Sequence, residues 1–355
     1  MLVSSIDEFA LIQWLTDGKQ SRDFQQAGGV AAGIGDDAAV VNIQPGFQLV
    51  MTCDTMTEKI HFTPMTMRDQ DIGYKAMASA ISDIAAMGAV PKFALVAVSC
   101  PPGTGLPRLE EMYQGLYDCA NRWNVVIVGG DTTSSSAGIT ITVTVIGEVE
   151  HGKALLRSAA QPGDVLFATG TLGSSAAGLD YLLQRGLPAE LWPADNLRPP
   201  ADPDRPGIES LIQAHCRPEP RIDAGRLLQQ SGVCHALNDV SDGLASEAWE
   251  ISEASGVGID LIEDRIPIAE ELMSYALANE KDPLDYILFG GEDYQLIGTM
   301  QAEHAISMQM KFREAGLVLY IIGYVNAEAE GVRLVQSSGY VVPVDKKGYN
   351  HFRKG

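Results

Sequence analysis

The chain has 355 residues, of which 46% are hydrophobic and 20% charged, and its formal net charge is −21. This length is typical of two domains, because single cores seldom grow beyond about 250–300 residues. The acidic balance disfavours nucleic acid and anionic lipid as partners, and no apolar run approaches the roughly 18 residues of a membrane span. The N-terminus lacks a secretion signal and the five cysteines lack CxxC or CxxH spacing, so we expect a cytoplasmic protein without disulfides or structural zinc.

Residues 1–150 are predicted to form an N-terminal α+β domain, in which a mixed or antiparallel sheet is backed by helices. The clearest strand signal is the alternation of Ile or Val with Thr from Ile139 to Val145. The predicted elements, in chain order, are a helix near 5–16, strands at Ala38–Val41 and Gln48–Thr52, a helix within 71–89, a strand within 92–100, a helix within 106–123 and strands within 125–130 and 139–149.

Residues 151–355 are predicted to form a C-terminal α/β domain. Six prolines between Pro188 and Pro206 favour a surface loop at 188–206 inside this domain. The predicted elements are a strand within 164–170, a helix within 174–186, a strand within 235–241, a helix within 244–256 and strands within 257–263, 294–300 and 319–325.

Acidic residues recur beside Gly, Ser or Thr at the predicted ends of these elements, where the backbone can approach a ligand. A single Asp in such a position is more often a turn former than a ligand. Eight acids share this setting, and turn formation does not readily explain all of them. They are Asp36, Asp37, Asp54, Asp131, Asp239, Asp242, Glu292 and Asp293.

Asp83 lies in a different setting, the apolar helical stretch AMASAISDIAAM, which is predicted to be largely buried. A buried carboxylate needs a cation or several hydrogen bonds, and the neighbouring sequence offers no Arg or Lys beyond Lys75. The cation can therefore be a metal ion. Dispersed oxygen ligands without His or Cys suit Mg²⁺, which usually accompanies phosphate.

The sequence has no familiar phosphate-binding motif. GxxxxGK[ST] is absent, and GTLGSS at 170–175 does not match GxGxxG. This stretch is typical of a strand-to-helix turn with a Ser cap, although a helix N-terminus can also face an anion. An acidic protein without a lysine cradle can bind ATP through Mg²⁺ ions, so Asp36 and Asp37 are predicted to hold metal.

Eight sequence blocks together resemble the thiamine-monophosphate kinase family, in order and over almost the whole chain. The family belongs to an ATP-binding superfamily with aminoimidazole ribonucleotide synthetase, selenophosphate synthetase and the hydrogenase-maturation dehydratase. The GDD, SDIAAMG and SDG motifs occur across these relatives, so they indicate the superfamily more firmly than the substrate. The blocks are GIGDDAAV, MTCDTMTEKIHF, YKAMASAISDIAAMGA, VVIVGGDTTSS, LLRSAAQPGDVLFATGTLGSSAAGL, NDVSDGL, GGEDYQL and GYNHF.

The resemblance implies Mg²⁺-dependent phosphorylation of thiamine phosphate to thiamine diphosphate with ATP as co-substrate, by direct in-line transfer, in a homodimer that associates through the N-terminal sheet. The implied ligands of several Mg²⁺ ions are Asp37, Thr52, Cys53, Asp54, Asp83, Asp131, Asp239 and Asp242, with Thr52 and Cys53 acting through their main chain. The implied nucleotide contacts are Gly130, Asp131, Arg157 and Ser241, and the implied thiamine phosphate contacts are His61, Glu292 and Tyr349.

Two other functions stay open from the sequence. One is another ATP-dependent synthetase or cyclase of the same superfamily, which would activate an amide oxygen. The other is a non-catalytic nucleotide or divalent-ion binder that retains the fold. Without the resemblance, His61 is about as typical of a structural residue as of a ligand, Arg157 is typical of a surface arginine, and residues 348–352 are typical of a frayed terminus.

Overall fold

The computed structural model describes residues 2–35, 37–186, 202, 205–328 and 331–348. These residues form two compact units. The first contains Ala89–Gly152 and the described residues up to Ile84, and the second contains Ala85–Gly88, Lys153–Arg185 and the described residues that follow the 188–206 stretch. Of the loop predicted at 188–206, only Asp202, Arg205 and Pro206 fall within the described residues. None of the helices in the described ranges is long and apolar enough to cross a membrane.

Within its described residues, the first unit contains four α-helices, a two-stranded ribbon and a four-stranded sheet. The helices are α1 (Glu8–Thr16), α2 (Arg22–Ala27), α3 (Asp69–Ala86) and α4 (Leu106–Arg122). The strands are β1 (Val30–Ala32), β2 (Val40–Val41), β3 (Phe47–Thr57), β4 (Val90–Cys100), β5 (Val126–Ser134) and β6 (Thr140–Glu150).

The four-stranded sheet of the first unit has the order β3-β6-β4-β5. Its β3–β6 and β4–β6 pairs are antiparallel and its β4–β5 pair is parallel, so the predicted mixed sheet is confirmed. The prediction that β3 stops at Thr52 is wrong, because the strand continues to Thr57. Met51 to Thr57 are mostly Thr and Met, and each of them has a partner on β6 in an unbroken register, which extends the strand beyond the predicted end. Asp54 therefore lies inside a strand.

One face of this sheet is covered by α3 and α4. Every residue of α3 from 71 to 86 is buried except Asp83, which is half-buried, so the prediction of a largely buried helix is confirmed. The two helices approach backbone to backbone at Gly73 and Gly115. A Cβ atom at Gly73 would lie 1.8 Å from the Met112 carbonyl oxygen, so a side chain there would push α4 away from α3.

Among the described residues, a small cluster built on Val30, Phe93, Val126 and Val128 covers one end of the opposite face of the sheet. Farther along β3, alternate side chains point to this face and are exposed. Met51 is 68% exposed, a high value for a large apolar side chain on a strand.

The second unit contains seven helices and seven strands in the part of the chain that the structure describes. The helices are α5 (Ser174–Arg185), α6 (Ile208–Cys216), α7 (Ile222–Ser231), α8 (Leu244–Ser255), α9 (Glu270–Ala278), α10 (Pro283–Phe289) and α11 (Ala305–Glu314). The strands are β7 (Asp164–Ala168), β8 (Cys234–Asp239), β9 (Gly258–Ile262), β10 (Leu296–Gln301), β11 (Tyr320–Asn326), β12 (Gly331–Val335) and β13 (Val341–Pro343).

The seven strands form one mixed sheet in the order β13-β12-β9-β11-β7-β10-β8. Only the β12–β9 pair is parallel among these strands. The combination of sheets and helices in both units confirms the predicted fold class. Two loops beside β8 and β10 are held together, because the Glu292 amide donates to the Ser241 carbonyl at 2.7 Å and the Tyr294 amide donates to the Val240 carbonyl at 2.9 Å.

Candidate functional site

Asp54 and Asp83, called the acidic pair below, lie in the first unit where β3 meets α3. Thr52 and Asp54 are two residues apart on β3 and so point to the face that α3 covers. The Thr52 hydroxyl donates a hydrogen bond to the Asp83 carboxylate. The pKa of Asp54 is raised to about 6, first by burial and second by the Asp83 charge, against a hydrogen bond with Ser79 that lowers it.

The chemistry of this pair fits Mg²⁺. Two neighbouring carboxylates and a hydroxyl are hard oxygen donors, and the repulsion that raises the Asp54 pKa is relieved by a divalent cation. Within the described residues, no three His, Cys, Asp or Glu side chains come together as a metal site. The pair of carboxylates suits Mg²⁺, which usually binds one or two carboxylates and completes its shell with water and substrate phosphate.

Asp131 and Cys53 lie on the other face of the same sheet. Asp131 is level with Ala97 on β4, Thr142 on β6 and Thr55 on β3, and this row alternates with the row that contains Asp54. Asp131 and Asp54 are therefore separated by two strands and by the thickness of the sheet. The structure does not bring these two predicted ligands together within one unit.

The placement of Asp131 at a strand end is also wrong. The prediction stopped the strand at Gly130, whereas β5 continues to Ser134 because Thr132, Thr133 and Ser134 pair with β4. Gly130 has a structural reason to be glycine, since a Cβ atom there would lie 1.8 Å from the Val96 carbonyl oxygen.

Two more predicted residues of the first unit lie in loops. Asp37 is exposed and precedes β2, which begins at Val40 instead of the predicted Ala38, and its neighbour Asp36 lies outside the described residues. His61 follows β3 in a turn, and its Nδ1 atom accepts a hydrogen bond from the Thr57 amide at 2.9 Å. That bond fixes the tautomer of a neutral ring, with the proton on Nε2.

In the second unit, Arg157 is held by two residues that the sequence did not single out. Its Nε atom donates to the Asn238 side-chain oxygen at 2.9 Å, and its Nη1 atom lies 3.1 Å from the Glu250 carboxylate. The Arg157 side chain is nevertheless half exposed. An arginine anchored in this way presents a fixed positive charge to a ligand.

Asp239 is the last residue of β8, and the loop after it carries the predicted residues Ser241 and Asp242. Glu247 of α8 lies beneath this loop. The Glu247 carboxylate accepts hydrogen bonds from the Asp242 amide at 2.9 Å and from the Ser241 hydroxyl at 3.3 Å. Burial, then the charges of Glu250 and Asp239, raise the pKa of Glu247 well above its ordinary value. Asp239 is itself buried, so several acids of this unit crowd one location.

Glu292 is held in an unusual backbone conformation, with φ at 65°. Its carboxylate lies 3.4 Å from Nδ1 of His215, a buried side chain on α6 that is also 3.3 Å from the Ser175 hydroxyl. Tyr349, the other predicted contact of the same substrate in this unit, lies outside the described residues.

Helix α5, which begins within GTLGSS at Ser174, has its N-terminus against a carboxylate of the protein itself. The Asp293 carboxylate accepts hydrogen bonds from the Gly173 amide at 2.6 Å and the Ser175 amide at 3.2 Å, at the N-terminus of α5. Burial raises the pKa of Asp293 to about 7 in spite of these bonds. The N-terminus of α5 is therefore capped internally, which explains the GTLGSS sequence without a phosphate.

Several residues around these side chains escaped the sequence interpretation. Ser79 lies one helical turn before Asp83, a spacing that places both on the same face of α3 and could have identified it. Glu247 follows Ser241 by six residues and Asn238 precedes Asp239, but no local pattern shows that a strand and a helix would bring them together.

Two family models match most of this chain. Residues 35–149 match the family model described as AIR synthase related protein, N-terminal domain, and residues 161–336 match that of the C-terminal domain. The thiamine-monophosphate kinase of Bacillus subtilis is 40% identical over 350 residues, which are 98% of this chain and 100% of the relative. The thiamine-monophosphate kinase of Escherichia coli is 35% identical over 348 residues, 97% of this chain and 98% of the relative.

Solved structures give the same result. The crystal structure of the thiamine-monophosphate kinase from Stenotrophomonas maltophilia superposes with a TM-score of 0.78 at 33% identity, over 93% of this chain and 96% of that chain. AaThiL complexed with AMPPCP and TMP superposes with a TM-score of 0.73 at 32% identity, over 99% of both chains. The chain therefore belongs to the AIR synthase related proteins and, among them, to the thiamine-monophosphate kinase family.

Proposed function

We propose that this protein transfers the γ-phosphoryl group of ATP to thiamine monophosphate and so forms thiamine diphosphate and ADP. The observation that carries the proposal is the likeness over 99% of the chain to AaThiL, which was solved with AMPPCP and TMP. The transfer is direct and in line, without a phosphorylated enzyme intermediate, and takes place in the cytoplasm. No general base is required, because the acceptor is a phosphate oxygen that is already ionised at neutral pH.

The Mg²⁺ ligands of the proposal come from both units. In the first unit the acidic pair is the centre of the set. The pKa of Asp54 is raised, and Asp83 accepts a hydrogen bond that fixes the Thr52 hydroxyl. Bound Mg²⁺ supplies charge neutralisation for the phosphates, which is the main requirement of phosphoryl transfer. The proposed ligands are Asp37, Thr52, Cys53, Asp54, Asp83 and Asp131 of the first unit and Asp239 and Asp242 of the second.

The nucleotide and the acceptor are assigned to different side chains. Gly130 and Asp131 of the first unit and Arg157 and Ser241 of the second contact the nucleotide, and Arg157 contributes the fixed guanidinium described above. Thiamine monophosphate carries a cationic thiazolium ring, so an anionic contact such as Glu292 suits it. His61 and Tyr349 complete the proposed acceptor contacts, Tyr349 through the attraction between an aromatic face and the cationic ring.

The functional unit of the proposal is a homodimer that associates through the open face of the four-stranded sheet. Leu49, Met51 and Leu95 on that face are 44%, 68% and 38% exposed, and Cys53 beside them is exposed as well. An extended apolar surface of this kind is typical of an interface between subunits.

A steady-state assay tests the proposed function. The protein is incubated with ATP and thiamine monophosphate, with Mg²⁺ or with excess chelator, and both products are separated by chromatography. We expect thiamine diphosphate and ADP in equal amounts with Mg²⁺ and neither product with chelator. ADP formed without thiamine diphosphate would instead favour a synthetase of the same superfamily, and no turnover with intact ATP binding would favour a silent binder.

A further inference from the structure

Glu247 belongs to none of the ligand sets above, yet it is the most enclosed acid around the loop after β8, with only 2% of its surface exposed. Its side chain comes from the first turn of α8 and reaches back under the loop. Both of its oxygen atoms are used. One accepts the Asp242 amide and the Ser241 hydroxyl, and the other accepts the Asn238 side-chain amide at 2.6 Å.

Asn238 extends this set of bonds to Arg157. Its oxygen accepts the Arg157 Nε–H at 2.9 Å, while its amide group donates to Glu247 at 2.6 Å and to Glu250 at 2.9 Å. Because an arginine only donates and a carboxylate only accepts, the asparagine must point its oxygen to Arg157 and its nitrogen to Glu247. The direction of every hydrogen bond from Arg157 to Ser241 is thereby fixed.

We infer that Glu247 is a positioning residue of the proposed kinase, which sets the Ser241–Asp242 backbone and hydroxyl and, through Asn238, the Arg157 guanidinium. The inference rests on the proposed function, because it is that function which makes Arg157 and Ser241 nucleotide contacts and Asp242 a Mg²⁺ ligand. The partners of Glu247 are Asn238, Ser241 and Asp242, and Glu247 is not one of the proposed nucleotide or Mg²⁺ contacts. It acts as an outer partner that holds three contacts in one mutual orientation.

The polarity of the bonds allows a sharp test. In Glu247→Gln, the new side-chain nitrogen faces the Asn238 amide in one orientation and the Asp242 backbone amide in the other, so two donors face each other in either case. In Asn238→Asp, the new oxygen faces the Glu247 and Glu250 carboxylates, so acceptors face each other. When both changes are combined, the glutamine donates to the aspartate, the aspartate still accepts a hydrogen bond from Arg157, and the net charge of the site equals that of the wild type. The aspartate oxygen still faces the Glu250 carboxylate, so one repulsive contact remains.

Each single variant is expected to weaken the binding of Mg²⁺–AMPPCP, measured by calorimetry, and to raise the KM for ATP by about 10- to 100-fold. The KM for thiamine monophosphate should change by less than about threefold. The double variant should recover both nucleotide parameters by at least about threefold relative to Asn238→Asp, because it restores the bond between positions 238 and 247 and the effects of coupled sites are not additive. Recovery stays short of the wild type because the contact with Glu250 remains repulsive. A matched control is Glu148→Gln, which changes an equally buried glutamate of the first unit that accepts the Gln44 amide at 2.9 Å and is expected to keep wild-type kinetics.

The inference is overturned if Glu247→Gln binds Mg²⁺–AMPPCP as tightly as the wild type, or if the double variant is weaker than both single variants. It is also overturned if the KM values of both substrates rise together with a fall in the thermal unfolding midpoint, since that pattern indicates a general loss of structure. Failure of the proposed function is distinguishable, because the wild-type protein would then form no thiamine diphosphate, whereas the calorimetric comparison of the variants would still report on Glu247.

Discussion

At the scale of single residues, the most informative feature is the acidic pair on β3 and α3. Asp83 is the one half-buried position in the otherwise buried stretch of α3 from 71 to 86. It accepts a hydrogen bond from the Thr52 hydroxyl, and its charge contributes to the raised pKa of Asp54. A pair of carboxylates that repel each other costs folding free energy and is useful only when a cation joins them. The repulsion between Asp54 and Asp83 destabilises the metal-free fold, and bound Mg²⁺ would relieve it.

Replacing the charge at Asp83 tests this link. We expect Asp83→Asn to lower kcat by more than about 100-fold, because a metal ligand contributes several kcal/mol of charge stabilisation in the transition state. In chelator, its thermal unfolding midpoint should equal or exceed that of the wild type, because a repulsive charge has been removed. Asp118→Asn on α4, which changes another half-buried helical aspartate, should keep wild-type kcat. Near-normal turnover of Asp83→Asn at ordinary Mg²⁺ would contradict the metal assignment.

At the scale of the elements, α5, α9 and α10 meet at one carboxylate. Asp180 accepts hydrogen bonds from Lys281 at 2.8 Å, Tyr286 at 2.6 Å and Tyr275 at 3.0 Å. Burial alone would raise the pKa of Asp180, but these bonds, with one from Gln184, hold it below its ordinary value of 3.8. The cluster thus fastens three helices of the second unit through a single anion.

The residues that border the 187–201 stretch join the same cluster. The guanidinium of Arg185 lies 5.9 Å from the centre of the Tyr181 ring, and that of Arg205 lies 5.6 Å from the same ring. The Tyr181 hydroxyl also donates to Asp202 at 2.8 Å. Both ends of the stretch are thereby tied to one aromatic ring of α5.

The lowered pKa of Asp180 predicts how the cluster responds to pH. A depressed pKa means that the ionised form is favoured by folding, so the stabilisation is complete above about pH 3.8 and is lost as the pH falls through the folded-state pKa. Asp180→Asn should lower the free energy of unfolding at pH 7 by about 1–2 kcal/mol, the low end for bonds to a charged group because the side chain is partly exposed. Urea unfolding at pH 7 and pH 3 checks this, and a difference of equal size at both pH values would contradict the ionic explanation.

Sequence patterns predicted the elements better than they predicted the rows of side chains. The alternation of Ile and Val with Thr identified β6, and the apolar stretch around Asp83 identified α3 as buried. The ends of β3 and β5 were wrong because Thr-rich continuations look like loop sequence until a partner strand pairs with them. That pairing decides the face of the sheet on which Asp54 and Asp131 lie. It joins residues that are distant in the sequence, Asp54 with Val143 and Asp131 with Ala97.

The same limit explains the site of the second unit. Its motif residues Ser241 and Asp242 were recognisable, whereas Asn238 and Glu247 became meaningful only when β8 and α8 brought them together. Hydrogen bonds between a strand and the helix that follows it depend on the loop between them, and no periodicity in either element encodes that geometry.

At the scale of the whole molecule, the open face of the first sheet determines the expected assembly. We predict that the wild-type protein sediments as a dimer and that Met51→Glu sediments as a monomer, because a charge at a 68% exposed apolar position costs nothing in the single chain and would be buried at the interface. Ile306→Glu, at a 74% exposed position of the second unit, is the matched control and should remain dimeric. Sedimentation equilibrium measures all three proteins, and a monomeric wild type or a dimeric Met51→Glu would contradict the proposed interface.

The transfer of label from ATP tests the central claim most directly. The protein is mixed with ATP labelled in its γ-phosphate, Mg²⁺ and thiamine monophosphate, and the protein, thiamine diphosphate and inorganic phosphate are separated within one turnover and after many. We predict that the label moves into thiamine diphosphate in proportion to the ADP formed and that no labelled protein accumulates at any time. Label that appears as inorganic phosphate in proportion to ADP, with thiamine monophosphate unchanged, would contradict the proposed kinase activity.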